Sequence, residues 1–220
     1  MVRGHCNNKQ GRLAETEIIS FLMIQVYNNR SGVVVTMNKQ QLEHIIRAAC
    51  SITGEDNIVI IGSQAILASF PNTVLPDMLT QSIEADVFYL SENSQELTNL
   101  IDGTIGELSM FQDTHGIYAH GVGRETAVLP AGWEDRLVRL SNSNTSGYTG
   151  ICLDPYDLCV SKLIACREKD ISYVKALLGA GLLDVDELRK RLDVVEGFAE
   201  QKDIASAIMQ ACLATSPPPD

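Results

Sequence analysis

Residues 58–61 are an unbroken run of β-branched side chains, Ile-Val-Ile-Ile, and this run constrains the fold more than any other feature. A strand that is apolar on both faces must be covered on both sides, so the run is typical of an inner strand of a layered sheet. Gly62 and Ser63 follow at once, and residues 64–68 have the composition of a short helix. The segment predicts a buried strand, a tight turn and a helix in succession.

The rest of the chain predicts both helices and strands. Asn38 is a good N-cap for a helix over residues 42–49, and the chain is predicted to be helical from Asp154 onward. Ser141–Gly147 reads as a polar loop. The other helices are expected within residues 91–108, 157–167, 169–178 and 184–192 and before the proline tail, and the other strands at residues 83–90, 117–122, 127–129 and 137–140.

Changes in composition divide the chain into four parts. Residues 1–36 are either a poorly ordered extension or the product of an upstream start, and the sequence leaves both open. Residues 37–150 are predicted to form the core domain and residues 151–215 a helical C-terminal part. Residues 216–220 form a proline-rich tail.

The net charge of −11 bears on possible partners. Affinity for nucleic acid rests mainly on clustered Lys and Arg, so an extended DNA footprint is not expected. A local basic pocket, or a substrate that arrives with a divalent metal, remains compatible with this charge. An acidic surface also suits a partner with a basic face.

Cysteine usage and hydropathy indicate a soluble, cytoplasmic protein. The chain has no C-x-x-C pair and no signal peptide, and small buried hydrophobes are a better account of its cysteines than a metal site. The apolar run at residues 18–26 is too short to span a bilayer. The six cysteines are Cys6, Cys50, Cys152, Cys159, Cys166 and Cys212.

Two acids stand out in the predicted strand at residues 83–90. Because side chains alternate along a strand, Glu84 and Asp86 share a face and can reach one hard divalent ion. A solvated face is the alternative for such a pair. Gly62 lets the backbone approach a ligand, and the N–H groups of the following helix favour a phosphate, although Gly-Ser is also a common plain turn.

The order of these elements resembles the nucleotidyltransferase superfamily, which has a DNA polymerase beta-like fold. The resemblance lies in I-I-G-S-Q-A-I-L, at residues 60–67, and in S-I-E-A-D-V, at residues 82–87. The segment from Asp157 to Asp170 is similar to a helix of abortive-infection and toxin-type nucleotidyltransferases. The resemblance implies an α+β fold with a mixed sheet flanked by helices.

The same resemblance implies roles for single residues. Lys162 would meet the phosphates, and Arg167 would support the phosphates or the acids. For Arg167 a plain surface ion pair is the alternative. Asp170 would orient a basic group or the acceptor, and Asp157 would support the site. Carried over in the same way, the triphosphate would be held by Gly62 and Ser63, and Mg²⁺ or Mn²⁺ by Glu84 and Asp86.

The chain departs from the family pattern in three respects. Glu84 stands where Asp is usual, and the gap from Ser63 to Glu84 is long. No later strand supplies an obvious third acid; Glu125 is the better candidate, ahead of Asp135.

His115 and His120 are candidates for a base or a metal ligand. They are five residues apart, which on a strand places them on opposite faces, so a metal shared by both is not expected.

The resemblance implies magnesium-dependent transfer of a nucleotidyl group from a nucleoside triphosphate to an RNA or protein acceptor, of the toxin–antitoxin type with an antitoxin-like partner. The alternative is a catalytically degenerate nucleotide-binding or protein-interaction partner, which the missing third acid favours. A metal-dependent phosphohydrolase is a third hypothesis.

Overall fold

The computed structural model describes residues 36–215. Their strands form a five-stranded mixed sheet with the order β3-β2-β1-β5-β4. β1 is parallel to β5 and antiparallel to β2, while β3 runs parallel to β2 and β4 antiparallel to β5. The expected α+β class is confirmed. The strands are Asn57–Ile60 (β1), Glu84–Phe88 (β2), Tyr118–Gly121 (β3), Val138–Leu140 (β4) and Thr149–Cys152 (β5).

Helices flank the sheet, and local sequence signals set their ends. The first helix, α1, begins with the predicted N-cap Asn38, whose side chain forms a capping box with Gln41, and it stops at Gly54 in a left-handed conformation. Short 3₁₀ helices lie in some of the connections within residues 36–215, and the first of them is Ser63–Ala68 after β1. The α-helices are Lys39–Thr53 (α1), Ser94–Ile105 (α2), Met110–His115 (α3), Pro155–Ala165 (α4), Glu168–Gly179 (α5), Val185–Asp193 (α6) and Ala199–Thr215 (α7).

The β-branched run supplies the central strand of the described sheet, and this confirms the predicted buried strand. Ile58, Val59 and Ile60 are each at most 1% exposed. Because successive side chains of a strand point to opposite faces, both faces of β1 are covered. One apolar core joins these residues to α1 and to the C-terminal helices. The turn after β1 is therefore fixed at the edge of this core.

β5 was not predicted, although it lies between β1 and β4. Its sequence, T-G-I-C, is short and has no β-branched run. A Cβ on Gly150 would lie 2.4 Å from Ile46 Cδ1, so glycine lets α1 pack onto the strand. The predicted domain boundary at residue 150 falls inside this strand.

Two local predictions were wrong. Residues 127–129 pair with no strand of the described sheet; they link two 3₁₀ turns and pack against the core through side chains alone. The helix expected up to residue 108 ends at Ile105, and a separate helix, α3, starts after the N-cap Ser109. In both places apolar residues occur with suitable spacing, but tertiary contacts decide the backbone.

Among residues 36–215, no helix combines the length and the apolar character that crossing a bilayer requires.

Asp157 joins the C-terminal helices through buried ion pairs. Its side chain is fully buried. It accepts hydrogen bonds from Arg136 Nε at 2.8 Å and from Arg191 Nη1 at 3.0 Å. These contacts connect α4 with the 3₁₀ turn Trp133–Arg136 and with α6. A buried charge with two cationic partners makes removal of one partner costly.

We expect Asp157→Ala to lower the free energy of unfolding by about 3–5 kcal/mol, because two arginines lose their buried counter-ion. Urea denaturation of the full chain measures the change. Asp186→Ala is the matched control, since Asp186 pairs with Arg189 on the surface and its side chain is 77% exposed; it should change stability by less than about 1 kcal/mol. Equal effects of the two substitutions would contradict the structural role of Asp157.

Candidate functional site

Gly62 lies directly against the carboxylate of Asp86. The antiparallel pairing of β1 with β2 continues beyond β1, where Ile61 N–H donates to the Asp86 carbonyl at 3.1 Å. A Cβ on Gly62 would lie 1.9 Å from Asp86 Oδ2 and 2.7 Å from its Cγ. No larger residue fits unless the carboxylate moves. The structure thus brings the predicted turn and the predicted acid pair together.

The parallel register of β2 and β3 gathers four polar side chains on one face. Glu84 is paired with Tyr118, and Asp86 with His120. Partners in a parallel pair point to the same side, as do residues two apart on one strand. Side chains between them, such as Ala85, face the core and are fully buried. About a third of each carboxylate side chain remains exposed, so solvent and ligands can reach the pair.

His120 completes a compact set of metal-ligating groups. Its Nδ1 lies 2.7 Å from Glu84 Oε1 and 3.4 Å from Asp86 Oδ1. Tyr118 donates from its hydroxyl to the other Glu84 oxygen at 3.2 Å. One ligand atom from each of Glu84, Asp86 and His120 lies within 4.8 Å of the other two. Two carboxylates and an imidazole fit a divalent ion.

The two carboxylates also determine the charge of the imidazole. Hydrogen bonds to Asp86 and to Glu84 outweigh the effect of burial and raise the pKa of His120 to about 10. Without a metal ion, His120 is therefore a cation that balances part of the negative charge of the pair.

Lys162 reaches the same region from α4. Its Nζ donates to Ser63 Oγ at 2.9 Å and to Asp170 Oδ1 at 3.1 Å. The ammonium group also lies 4.4 Å from the ring centroid of Tyr173. Tyr173 in turn donates from its hydroxyl to the Ser63 carbonyl at 2.8 Å. A positive charge is thus held at the turn that follows β1.

Burial keeps the hydroxyl of Tyr173 protonated. Desolvation raises the pKa of Tyr173 well above its usual range, so the hydroxyl stays a hydrogen-bond donor to Ser63. Asp170, whose side chain is 2% exposed, is the counter-ion of Lys162 and also accepts from Arg167 Nε at 2.5 Å. Half of the Arg167 side chain remains exposed. Among these residues, Lys162 is the cation that contacts the turn.

Three acids named from the sequence lie elsewhere. Asp157 is buried in its ion pairs with Arg136 and Arg191. Glu125 lies in the turn after β3 and lines a cavity of about 370 Å³ with residues 88–92, at the end of β2 opposite Glu84. Asp135 is exposed in the turn Trp133–Arg136. The chain leaves β3 before it reaches Glu125, and the position that faces Asp86 belongs to His120.

Sequence reasoning missed His120 and Tyr173. The expectation that both histidines lie on one strand was wrong, because His115 is in α3, where its ring centroid lies 4.4 Å from that of His44. Sequence reasoning also did not consider that His120 shares a face with Glu84 and Asp86. The available signal was the alternation in Y-A-H-G, which places Tyr118 and His120 on one face of a strand. For Tyr173 no local signal exists, because its contact with Ser63 spans 110 positions.

Comparison with known proteins yields one family. Residues 40–210, more than half of the chain, match the model of the family described as "Nucleotidyltransferase of unknown function (DUF6036)". The matched stretch runs from α1 into α7 and includes all residues of the site. No curated protein and no solved structure matches the chain.

Gly62→Ala should cost about 1–3 kcal/mol of unfolding free energy, because the new methyl group overlaps the Asp86 carboxylate. In an Asp86→Ala background this cost should fall, since Oδ2 and Cγ, the nearest atoms, are gone and only Cβ, at 2.9 Å, remains close. Urea denaturation of the two single variants and the double variant measures the coupling.

Gly103→Ala is the matched control for this cycle. Gly103 lies in α2 with open space around it, so the added methyl group should leave stability unchanged or raise it by about 0.5–1 kcal/mol. If Gly62→Ala costs the same with and without the Asp86 carboxylate, the two residues are not in contact.

Proposed function

The chain belongs to the DUF6036 family of nucleotidyltransferases, and on that premise we propose that it transfers a nucleotidyl group from a nucleoside triphosphate to an acceptor hydroxyl. The observation that carries the proposal is the contact of Gly62 with Asp86, beside a Ser63 that is bonded to Lys162. A pair of acids and a fixed cation are thereby adjacent. In nucleotidyl transfer, a metal ion held by the acids and a fixed cation would both compensate the charge of the phosphates.

Each residue has a distinct part in this proposal. Glu84 and Asp86 would hold Mg²⁺ or Mn²⁺, which when bound neutralises the phosphates and stabilises the pyrophosphate leaving group. Lys162 supplies a positive charge for the phosphate chain. Ser63 accepts a hydrogen bond from Lys162, and a serine hydroxyl that accepts one bond can still donate its own hydrogen to a phosphate oxygen.

The proposed step exchanges one phosphorus–oxygen bond for another. The acceptor oxygen forms a bond to the α-phosphorus, and the bond from this phosphorus to the oxygen that bridges to the β-phosphate breaks. Pyrophosphate leaves with the electron pair of that bond. A carboxylate of the Glu84–Asp86 pair takes the acceptor proton and passes it to solvent. Positioning and charge compensation supply most of the rate in such transfers.

The chemistry of the surface favours a protein side chain as the acceptor over a long RNA. A net charge of −11 repels an extended phosphate backbone. An RNA end would need only a short contact and is the second choice. A toxin–antitoxin role is part of the proposal, and an antitoxin-like partner with a basic face would suit the acidic surface.

The cysteines support a cytoplasmic location. The five described cysteines are all free thiols. Burial raises the pKa of the thiols of Cys50, Cys152 and Cys159 to about 12, so these side chains behave as inert apolar groups. Free thiols fit a reducing compartment.

A second function, nucleotide binding without turnover, has one observation in its favour. The position on β3 that faces Asp86 carries His120 and not a third carboxylate. A site with only two acids has one fewer group to accept the acceptor proton. Such a protein would bind a metal–nucleotide complex and release no pyrophosphate.

We expect the full chain, incubated with each α-labelled nucleoside triphosphate, Mg²⁺ or Mn²⁺, and total cell protein or RNA, to attach label to the protein fraction. Asp86→Ala should reduce labelling by about a hundredfold or more, because the charge of the transferring phosphoryl group loses its compensation. Asp113→Asn changes an exposed acid in α3 and should leave labelling unchanged. If only RNA becomes labelled, the acceptor is an RNA end and not a protein side chain.

Two other outcomes would contradict transfer. Metal-dependent nucleotide binding that Asp86→Ala abolishes, without any labelled acceptor or pyrophosphate, would establish the binding function. Release of inorganic phosphate in place of pyrophosphate would establish a phosphohydrolase.

Lys162→Met should weaken binding of nucleoside triphosphate about tenfold, the effect of losing one charged hydrogen bond, and leave binding of the matching nucleoside monophosphate unchanged. Isothermal titration with both ligands gives the comparison. Lys175→Met, an exposed lysine of α5, is the control and should alter neither affinity. If Lys162→Met lowers the affinity for both ligands equally, Lys162 supports the fold of the site and does not contact the phosphate chain.

A further inference from the structure

We propose that His120 is the third protein ligand of the divalent ion at Glu84 and Asp86, and that its nitrogen makes the site select Mn²⁺ over Mg²⁺. This inference rests on the proposed function, since it takes an ion at the acid pair as given. It adds a ligand and a metal preference that the acid pair alone does not supply.

The distances among the three ligand atoms fit one coordination sphere. In an octahedral site with bonds of about 2.1 Å, neighbouring ligand atoms are about 3 Å apart. His120 Nδ1 lies 2.7 Å from Glu84 Oε1 and 3.4 Å from Asp86 Oδ1. One ligand atom from each of Glu84, Asp86 and His120 lies within 4.8 Å of the other two. These three side chains would therefore hold one divalent ion.

The fold holds the three groups in place. Glu84 is oriented by the Tyr118 hydroxyl, which occupies its second oxygen. His120 lies in a strand whose next residue, Gly121, donates from its N–H to Asp102 Oδ1 at 2.7 Å. A Cβ on Gly121 would lie 2.6 Å from the Thr98 carbonyl oxygen, so β3 is packed closely onto α2. Ligands on rigid strands keep their geometry without reorganisation.

The nitrogen decides the metal preference. Mg²⁺ demands oxygen ligands and gives up its waters reluctantly, so an imidazole is a poor ligand for it. Carboxylates suit both Mg²⁺ and Mn²⁺, and nitrogen donors favour transition ions. Mn²⁺ accepts two carboxylates together with an imidazole. A third carboxylate at the position of His120 would suit Mg²⁺ equally well.

A purely structural role of His120 predicts different behaviour. As a cation, the imidazole would pair with the two acids, and an incoming metal ion would have to displace it. Removing His120 would then strengthen metal binding, since a competing charge is lost. Removing a ligand weakens metal binding, so the sign of the change separates the two roles.

The test uses the full chain and manganese chloride, with and without a non-hydrolysable nucleoside triphosphate. Pulsed electron paramagnetic resonance detects a nitrogen bonded to Mn²⁺ through its hyperfine coupling. Titration of the signal of free Mn²⁺ gives the dissociation constant, and competition gives that of Mg²⁺. The variants are His120→Ala, His120→Asp and Asp86→Ala, with His115→Gln as the control, and circular dichroism confirms their folding.

We expect a nitrogen coupling in the wild type and in His115→Gln, and none in His120→Ala or His120→Asp. His120→Ala should weaken Mn²⁺ binding at least about tenfold, since even groups that only orient a ligand contribute that much. His120→Asp should keep metal binding and reduce the preference for Mn²⁺ over Mg²⁺ at least about tenfold, because the third ligand becomes an oxygen. The second variant keeps the test valid if His120→Ala unfolds.

Two results would overturn the inference. The first is Mn²⁺ binding to the wild type without nitrogen coupling, with an affinity that His120→Ala keeps or raises and that Asp86→Ala lowers. This result would refute the ligand role and leave the proposed function intact. The second is that Asp86→Ala changes neither Mn²⁺ nor Mg²⁺ binding, whether or not nucleotide is present. This result would refute both the ligand role of His120 and the proposed function.

Discussion

The contact between Gly62 and the Asp86 carboxylate is the constraint on which the rest of the site depends. It follows from the antiparallel pairing of β1 and β2, because the hydrogen bond from Ile61 N–H to the Asp86 carbonyl extends that pairing to the turn. The missing side chain of Gly62 leaves room for one carboxylate oxygen. A one-residue change of register would move the acids to the core face and destroy the site.

Two groups of side chains converge on this contact from different parts of the chain. Neighbouring strands supply the acids and His120, whereas the C-terminal helices supply Lys162 and Tyr173, which hold Ser63 from the other side. The acid pair thus lies on the sheet, and the ammonium group of Lys162 reaches the adjoining turn from the helices. A metal-bound triphosphate, which has a cation at one end and free anionic oxygens along its length, is complementary to such a division.

The two buried acids of the C-terminal part, Asp170 and Asp157, have different roles. Asp170 is the counter-ion of Lys162 and keeps that cation beside Ser63. Asp157 is the counter-ion of Arg136 and Arg191 and fastens helices together. Both acids belong to the segment that resembles a single helix of the toxin-type enzymes. In the structure this segment is two helices, because α4 ends before Cys166, which has a left-handed conformation. Asp170 lies in the second helix, α5, where it contacts Lys162.

Features encoded by neighbouring residues could be predicted from the sequence. The run at residues 58–61, the alternation around Glu84 and Asp86, and the N-cap at Asn38 act over a few positions, and the structure has each of them. β5 and the position of His120 beside the acids depend on parallel pairing between distant segments. The alternation in Y-A-H-G indicates the face of His120 but not its partner strand. A four-residue strand with a glycine carries too little information to reveal its partner.

The central claim is that one metal-bound triphosphate occupies the space beside Gly62, and a crystal structure of the chain with MnCl₂ and a non-hydrolysable nucleoside triphosphate tests it most directly. The account predicts an anomalous manganese peak bonded to Glu84 and Asp86, with phosphate oxygens at Ser63 and Lys162. A manganese ion not bonded to Glu84 and Asp86, or a triphosphate bound away from Ser63 and Lys162, would contradict it.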